Sequence, residues 1–222
     1  VAYRVRAEYG LIWVSLGNPT TDLPLFIEWS DPSFRKVLCG PYHINAAGPR
    51  VSENFLDVAH FPFVHAAYLG DPHHTAVPDY GAEITPAGVI ARDIQVWQPD
   101  PDGSGVGSAV SYTYQALRPL TARFTKYSGA GEFAIFLTVT PLEETRSIAW
   151  MWIAMNYAWE IPNEQIRSFQ DHIVAQDVPV VESQRPARLP LDLQAELHLR
   201  SDRTSIAYRR WLRELGLTFG VC

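Results

Sequence analysis

The sequence predicts an α+β fold in which helices cover one side of an antiparallel sheet. Two observations predict this class. Short strand-like segments follow one another along most of the chain, separated by turns rich in proline and glycine, and three other segments carry the three-to-four spacing of amphipathic helices. With 222 residues, of which 47% are hydrophobic and 19% charged, the chain can bury one substantial core.

The predicted strands are short, and most of them are rich in β-branched and aromatic residues. The first two lie within residues 1–16, on either side of the Tyr9-Gly10 pair. The run 148–155 is apolar at almost every position, which predicts a central strand covered on both faces, whereas the alternation over 110–116 predicts a half-buried strand. Beyond residue 16, the predicted strands are 42–47, 81–85, 89–97, 108–117, 122–127, 132–140 and 147–156.

Three segments show helical periodicity. Residues 51–60 follow the pattern with Ser52 as the expected N-cap. Residues 163–178 begin directly after Pro162, and residues 202–215 end before Gly216, a residue type that favours the C′ position of a helix.

Charge and cysteine content exclude several classes of function. The net charge of −6 argues against a nucleic acid or an anionic membrane as partner, because both require a basic surface. The apolar runs are too short for a transmembrane helix, and no N-terminal signal pattern is visible, which together predict a cytoplasmic protein. Two cysteines, Cys39 and Cys222, cannot hold a disulfide framework or an iron–sulfur cluster. Any metal must therefore be held by histidines and carboxylates.

A short segment in the first third of the chain has the spacing of a metal site. It contains Asp57, His60 and His65, with Pro62 between the two histidines. A proline ends or bends a helix, so the second imidazole can turn towards the first. Two neutral imidazoles brought together are good ligands for iron, zinc or copper, although a pair of histidines can also be purely structural.

The segment 52–65, SENFLDVAHFPFVH, resembles the mononuclear-iron motif of the catalytic domain of Rieske non-haem iron oxygenases, in particular the vanillate O-demethylase-like branch. Asn54, Asp57, His60 and His65 occupy the motif positions. Two further patches agree with the resemblance. Residues 174–185 resemble the helix that donates the carboxylate ligand, and residues 8–19 resemble the junction between the Rieske and catalytic domains.

The resemblance implies a role for each matched residue. Asp177 becomes the third iron ligand beside the two histidines, with Asp171 on the same helix as the competing candidate. Asp57 is expected to join an iron-ligand histidine to a histidine of the Rieske cluster in the neighbouring subunit, and Asn54 lies close to the iron in relatives. Two histidines and one carboxylate leave open positions on one side of the metal for dioxygen and substrate.

The resemblance also implies an architecture. The expected fold is of the helix-grip (START/Bet v 1-like) type, an antiparallel sheet packed on a long C-terminal helix. Residues 1–20 are expected to be the end of the junction with a Rieske domain, and residues 21–222 the mononuclear-iron catalytic domain. The cysteine–histidine pairs that hold a Rieske cluster are missing from this sequence, so the chain resembles the catalytic half alone. Relatives assemble as homotrimers.

The implied activity is activation of dioxygen at Fe(II), followed by hydroxylation or O-demethylation of an aromatic or similar apolar substrate. Electrons are expected from NAD(P)H, through a reductase or ferredoxin and a [2Fe–2S] Rieske cluster, so this chain alone is expected to show little or no NAD(P)H-driven turnover. The alternatives are a non-catalytic hydrophobic-ligand-binding domain of the same fold and a zinc hydrolase. The hydrolase is disfavoured, because the nearest candidate base, Glu53, does not adjoin the histidines.

An apolar substrate requires an apolar pocket, and four aromatic residues on the predicted strands are candidates for its walls. Asn156, at the end of the apolar run, is a candidate polar anchor for the substrate. The four aromatic residues are Trp97, Phe136, Trp150 and Trp152.

Overall fold

The structure is a computed structural model and describes residues 3–222. Seven antiparallel strands form the main sheet, in the order β3-β9-β8-β7-β6-β5-β4, and β1 and β2 form a separate hairpin. The predicted α+β class is confirmed. The strands are β1 (Arg4–Glu8), β2 (Leu11–Ser15), β3 (Arg35–Ile44), β4 (Gly81–Thr85), β5 (Gly88–Gln98), β6 (Ser108–Arg118), β7 (Thr121–Tyr127), β8 (Glu132–Glu143) and β9 (Arg146–Met155).

Helices cover one face of the sheet. They are α1 (Gly48–Leu56), α2 (Phe61–Val64), α3 (Asn163–Ser183) and α4 (Arg203–Glu214). The long helix α3 packs beside β3, α1 lies over the central strands, and α4 lies over β4 and β5. None of the helices in residues 3–222 is long and apolar enough to cross a membrane.

Side-chain alternation along the strands gives the sheet two different faces. Strand β9 lies between β3 and β8, in agreement with its apolar sequence. On this strand Met151 and Ile153 point to the helices and join the main core, whereas Trp152 and Ala154 point to the opposite face. Both faces of the central strands are therefore covered.

The opposite face is covered by the β1–β2 hairpin and by a 3₁₀ turn at Ile27–Trp29. The hairpin turns at Tyr9 and Gly10, both with positive φ, as the sequence predicted. The Trp152 indole donates a hydrogen bond to the Tyr9 carbonyl at 2.9 Å, and Phe26 stacks on Phe136 with ring centroids 4.8 Å apart. The hairpin is thus fixed to the sheet. Residues 1 and 2 of the predicted 1–16 segment lie outside the described residues.

Strand β3 begins at Arg35, whereas the sequence predicted a strand only over 42–47. Proline has no N–H for the ladder, so Pro41 does not fit the interior of a regular strand. In the structure a bulge between Cys39 and Tyr42 takes up Gly40 and Pro41, and pairing with β9 continues on both sides.

All three predicted helices have ends that differ from those predicted, although α4 differs by only one residue at each end. Helix α1 runs from Gly48 to Leu56 and not over 51–60, so Ser52 lies inside it and is not its N-cap. The observed helix starts three residues earlier than predicted, and Pro49 lies in its first turn, where a helix tolerates proline. Helix α3 passes through Pro179 to Ser183, five residues beyond the predicted end at 178. Gly216, with φ of +67°, follows α4 at the predicted position.

Candidate metal centre

The two histidines of the motif lie at the two ends of a helix of a single turn. His60 precedes α2, His65 follows it, and Pro62 lies in its first turn, where the missing N–H costs nothing. Proline therefore helps to begin a new short helix here, whereas the sequence predicted that it would end or bend a longer one. The two imidazole rings lie with their centroids 5.1 Å apart.

The third member of the cluster comes from α3. Asp177 Oδ1 lies 3.4 Å from His60 Nε2 and 3.1 Å from His65 Nε2, and the potential ligand atoms of the three residues all lie within 4.8 Å of one another. His65 is buried, and His60 and Asp177 are mostly buried. Asp177 Oδ1 is inaccessible to solvent and makes no aligned hydrogen bond with any described residue. The buried oxygen has no aligned hydrogen-bond donor in the described part of the chain and faces two ring nitrogens. Together these three atoms form a ligand set that suits a divalent transition metal.

Each histidine is oriented by a second residue at its other ring nitrogen. The Nδ1 atom of His60 lies 2.6 Å from Asp57 Oδ2, and the Nδ1 atom of His65 lies 2.8 Å from Gln176 Oε1. Both partner oxygens accept hydrogen bonds, so this arrangement places the proton on each Nδ1 and leaves the Nε2 lone pairs facing Asp177. When neither Nε2 atom holds a proton, the cluster presents two imidazole lone pairs and one carboxylate oxygen to the same point.

The electrostatics of the cluster favour positive charge. Burial alone would raise the pKa of Asp177, but the adjacent imidazoles of His60 and His65 outweigh burial and hold this pKa well below its usual range. Burial likewise opposes the charging of His60, yet Asp177 and Asp57 raise the pKa of this imidazole to about 9. The carboxylate is thus ionised at neutral pH, and its environment suits a divalent cation.

Two other predicted residues lie outside the cluster. The Asp171 carboxylate accepts a hydrogen bond from the Tyr42 hydroxyl at 2.6 Å, on an exposed part of α3. Asn54 lies in the last turn of α1, so it does not cap the start of that helix, and its side chain lines the same cavity as the cluster.

The cluster lies in the wall of a cavity of about 630 Å³ between the sheet and α3. This volume falls within the usual range for sites that bind small molecules. Most of the wall is apolar, and Lys126 and Gln98 are polar exceptions on the sheet side. The aromatic residues of the wall are Phe55, Phe61, Tyr68, Tyr112, Tyr114, Phe124, Phe133, Tyr157 and Phe169.

The aromatic residues predicted for the cavity wall are not part of it. Phe136 and Trp152 point to the opposite face of the sheet, and Trp97 stacks on His74 with centroids 4.1 Å apart. Trp150 contacts a separate groove beside the hairpin. Asn156 is also not an anchor, because its side-chain oxygen accepts a hydrogen bond from the Glu132 N–H at 2.8 Å. Side chains alternate between the two faces of a strand, so the four aromatic residues point away from the cavity. Their neighbours in sequence point towards it, and several of them line its wall.

Sequence reasoning missed Gln176 and Lys126. Gln176 had no distinguishing signal, because a glutamine beside an aspartate on a helix is ordinary. Lys126 had a signal, since Ala122, Phe124 and Lys126 alternate along β7, which predicts that all three face the helices. A lysine on a buried strand face is rare unless it has a partner or a function.

A helix-grip sheet closed over a long helix, with an apolar cavity and a cluster of two histidines and an aspartate in its wall, defines a class of protein. It is the class of the catalytic domains of Rieske non-haem iron oxygenases. Residues 44–218 match the vanillate O-demethylase oxygenase C-terminal domain, and the chain belongs to this family.

Known relatives agree with this assignment. The chain is 37% identical to a probable methylxanthine N7-demethylase, NdmC, of Pseudomonas sp. (strain TJI-51), over 97% of this chain and 78% of the relative. It is 31% identical to the methylxanthine N1-demethylase NdmA of Pseudomonas putida, over 94% of this chain and 59% of that protein. A solved structure of Pseudomonas putida CBB5 NdmA with caffeine superposes with a TM-score of 0.82 at 29% identity, covering 96% of this chain and 61% of the other. The chain thus spans about three fifths of the length of NdmA.

Proposed function

We propose that this chain holds a mononuclear Fe(II) through His60, His65 and Asp177 and supplies the oxygenase half of a demethylating enzyme. The proposal is carried by three atoms that converge in the wall of an apolar cavity. Asp177 Oδ1 lies 3.4 Å from His60 Nε2 and 3.1 Å from His65 Nε2. Three protein ligands leave coordination positions open on the side that faces the cavity. Membership in an oxygenase family favours this function over the non-catalytic ligand-binding domain.

When bound, Fe(II) supplies the reductive activation of dioxygen. The surrounding residues prepare the site for it. Asp57 and Gln176 keep the protons on the two Nδ1 atoms, so that the Nε2 lone pairs are available. The aromatic walls exclude water and present a flat apolar surface to a substrate. The cavity walls would therefore position the substrate, without a bond between the substrate and the metal.

The substrate class in the proposal is a small, flat ring compound that carries a methyl group on nitrogen or oxygen. The named relatives are methylxanthine demethylases, and the cavity of about 630 Å³ with its aromatic walls suits a bicyclic ring. Demethylation would consume one dioxygen, two electrons and two protons. One oxygen atom leaves with the methyl carbon as formaldehyde and the other leaves as water.

Delivery of the electrons is assigned to parts outside this chain. We assign the [2Fe–2S] Rieske cluster to an N-terminal domain that precedes residues 1–20, with NAD(P)H acting through a reductase or ferredoxin and a homotrimer as the assembly. Asp57 supports the electron route, because its carboxylate binds His60 at 2.6 Å and its side chain remains 24% exposed. A neighbouring histidine could therefore reach the carboxylate from the surface.

A matched pair of variants tests the ligand set. Asp177→Asn and Asp171→Asn change carboxylates on the same helix into amides of the same size. After anaerobic reconstitution with Fe(II), we expect the parent chain and Asp171→Asn to hold one iron per chain, with the electron paramagnetic resonance signal of an iron–nitric oxide adduct. Asp177→Asn should lose most of the iron, because an amide is a weaker ligand than a carboxylate.

The opposite pattern, with iron lost from Asp171→Asn and retained by Asp177→Asn, would overturn the assignment of the carboxylate ligand. Failure of the parent chain to bind iron would overturn the proposed function. Circular dichroism of each variant shows whether a loss of iron is separate from a loss of fold.

A further inference from the structure

Lys126 is a half-buried cation in the wall of a mostly apolar cavity. It lies on β7, at a position whose neighbours of the same parity, Ala122 and Phe124, belong to the main core. Its ammonium group lies 5.9 Å from the centre of the Tyr112 ring and 5.3 Å from that of the Phe133 ring. The chain contains only two lysines, so one of the two is committed to this cavity.

The ammonium group has one fixed hydrogen-bond partner. Lys126 Nζ donates to Gln98 Oε1 at 3.1 Å, and the Gln98 amide nitrogen donates in turn to the Tyr112 hydroxyl at 2.8 Å. Gln98 is thus held with its oxygen turned towards the lysine. No carboxylate among residues 3–222 pairs with Lys126, and burial lowers the pKa of its amine to about 8. The amine still carries its charge at pH 7, with donors left over for another acceptor.

Lys126 and the candidate metal cluster face the same cavity. The ring of Phe61 lies 4.9 Å from that of His60 and 6.2 Å from that of Tyr112, and the Tyr112 ring adjoins the ammonium group. Two aromatic rings therefore separate the histidine pair from the cation. A flat ligand that lies along this wall would pack on these rings, between the cluster and Lys126.

We propose that Lys126 is the substrate anchor of this cavity and donates a hydrogen bond from its ammonium group to an oxygen acceptor on the ring of a flat aromatic substrate. A cation that faces an apolar cavity without a counter-charge is costly, and an acceptor oxygen on a bound substrate would offset part of that cost. The anchor thereby fixes which end of the ring reaches the cluster. This inference rests on the proposed function, since it assigns the recognition of the substrate at the same site.

The test compares ligands that differ in their acceptor oxygens. The first pair of probes is 7-methylxanthine, which has two ring carbonyls, and 7-methylpurine, which has none. The second pair is 4-methoxybenzoate and methoxybenzene, which differ by a carboxylate. Binding to the parent chain, to Lys126→Met and to Lys36→Met is measured by calorimetry at pH 7, with Zn(II) added to each protein.

We expect the parent chain and Lys36→Met to bind the acceptor-bearing probes more tightly than their matched partners. Lys126→Met should lose about tenfold or more of this affinity, the usual scale for a hydrogen bond to a charged group, while binding of 7-methylpurine and methoxybenzene stays within about twofold. A loss confined to 7-methylxanthine identifies a ring carbonyl as the acceptor, and a loss confined to 4-methoxybenzoate identifies a carboxylate. Both results support the anchor.

The proposal is overturned if Lys126→Met weakens the members of each pair equally, if it weakens none of them, or if the parent chain binds neither acceptor-bearing probe. Because the probes are measured at equilibrium without iron or dioxygen, the result does not depend on turnover. The parent chain could fail to bind Fe(II) and still bind the acceptor-bearing probes more tightly than their partners. That result would contradict the proposed function but not the role of Lys126 as anchor.

Discussion

At the scale of single residues, the candidate site depends on which polar atoms have partners. Asp57 and Gln176 satisfy the outer nitrogens of the two histidines, whereas the buried Asp177 oxygen between the inner nitrogens has no aligned donor among the described residues. In a native interior nearly every buried polar atom is paired, so an unpaired one calls for an explanation. The Asp177 oxygen and the Lys126 ammonium group, which has no carboxylate partner among the described residues, belong to residues that line the same cavity.

Gln176→Leu tests the role of the residue behind His65. Leucine keeps the size of the side chain but removes the oxygen that accepts the Nδ1 proton at 2.8 Å. Because such partners fix the tautomer and the ring orientation, we expect the affinity for Co(II) to fall by about 10-fold to 100-fold. Affinity is measured by anaerobic titration of the d–d absorption bands.

The control for this variant is Gln165→Leu, which replaces another glutamine of the same helix that lines the cavity and does not contact the histidines. Equal Co(II) affinity in the parent chain and in Gln176→Leu would contradict the role assigned to Gln176.

The residues of the motif could be predicted from sequence, but their surroundings could not. The spacing of Asp57, His60 and His65 is local, so it survives any error in the ends of the helices. Gln176 and Lys126 act through contacts with residues that lie 111 and 28 positions away, His65 and Gln98. Such contacts depend on how α3 and the strands pack, which a single sequence does not show.

At the scale of elements, the position of α2 depends on close packing against the loop that follows it. A Cβ atom added at Gly70 would lie 2.5 Å from the Pro62 nitrogen and 2.6 Å from the Phe61 carbonyl carbon, both of them backbone atoms of α2. The Gly70 carbonyl also accepts a hydrogen bond from Ala67 N at 2.9 Å, which keeps the loop in place. The absence of a side chain at Gly70 therefore allows the turn between the two histidines to lie where it does.

Gly70→Ala should therefore displace α2 and weaken the metal site without a direct change to any ligand. Overpacking of this kind costs about 1–3 kcal/mol of stability, and we expect a fall of about tenfold or more in Co(II) affinity, since both histidines flank the displaced turn. The measurement is again the absorption titration, together with thermal unfolding.

Gly81→Ala is the matched control, because nothing lies within 4 Å of the added methyl group. Its Co(II) affinity should equal that of the parent chain. Unchanged affinity in Gly70→Ala would show that α2 tolerates the displacement and that the packing against Gly70 is not required.

Three prolines lie where the observed elements extend beyond the predicted ones. A bulge takes up Pro41 inside β3, and the first turn of α1 tolerates Pro49. The predicted end of α3 is residue 178, but the helix continues through Pro179 to Ser183, and Val181 beyond the proline is buried in the core. In these places the packing of the whole chain outweighs the local signal.

At the scale of the whole molecule, a buried charge network ties the first helix to the last. Arg209 of α4 donates to both oxygens of Glu53 of α1, at 2.5 and 2.8 Å, and also binds Glu196 at 2.5 Å. Arg50 binds Glu196 at 2.6 Å and donates to the Pro186 carbonyl at 2.8 Å. The network therefore fixes the segment between α3 and α4 against α1. Helix α1 in turn leads directly into the histidine motif.

Glu53→Ala should destabilise the fold by about 3–5 kcal/mol, because it leaves the Arg209 guanidinium buried without its bidentate partner. The free energy of unfolding is measured in urea, with the slope against denaturant as a check that both proteins unfold in the same way.

The control is Glu143→Ala, which removes an exposed ion pair with Arg146 of 2.7 Å and should cost less than about 1 kcal/mol. Equal stability of the two variants would mean that the buried network contributes no more than a surface pair.

The separation of the proposed ligands along the chain predicts a kinetic effect. His60 and His65 belong to one short segment, whereas Asp177 and Gln176 lie on α3, and Gln176 follows His65 by 111 positions. A metal held by both parts should be released faster when α3 lifts away from α2, so we expect the rate at which a chelator removes it to rise with local unfolding of that helix. Metal loading should accordingly slow amide hydrogen exchange in α3 more than in strands such as β4 at the far edge of the sheet.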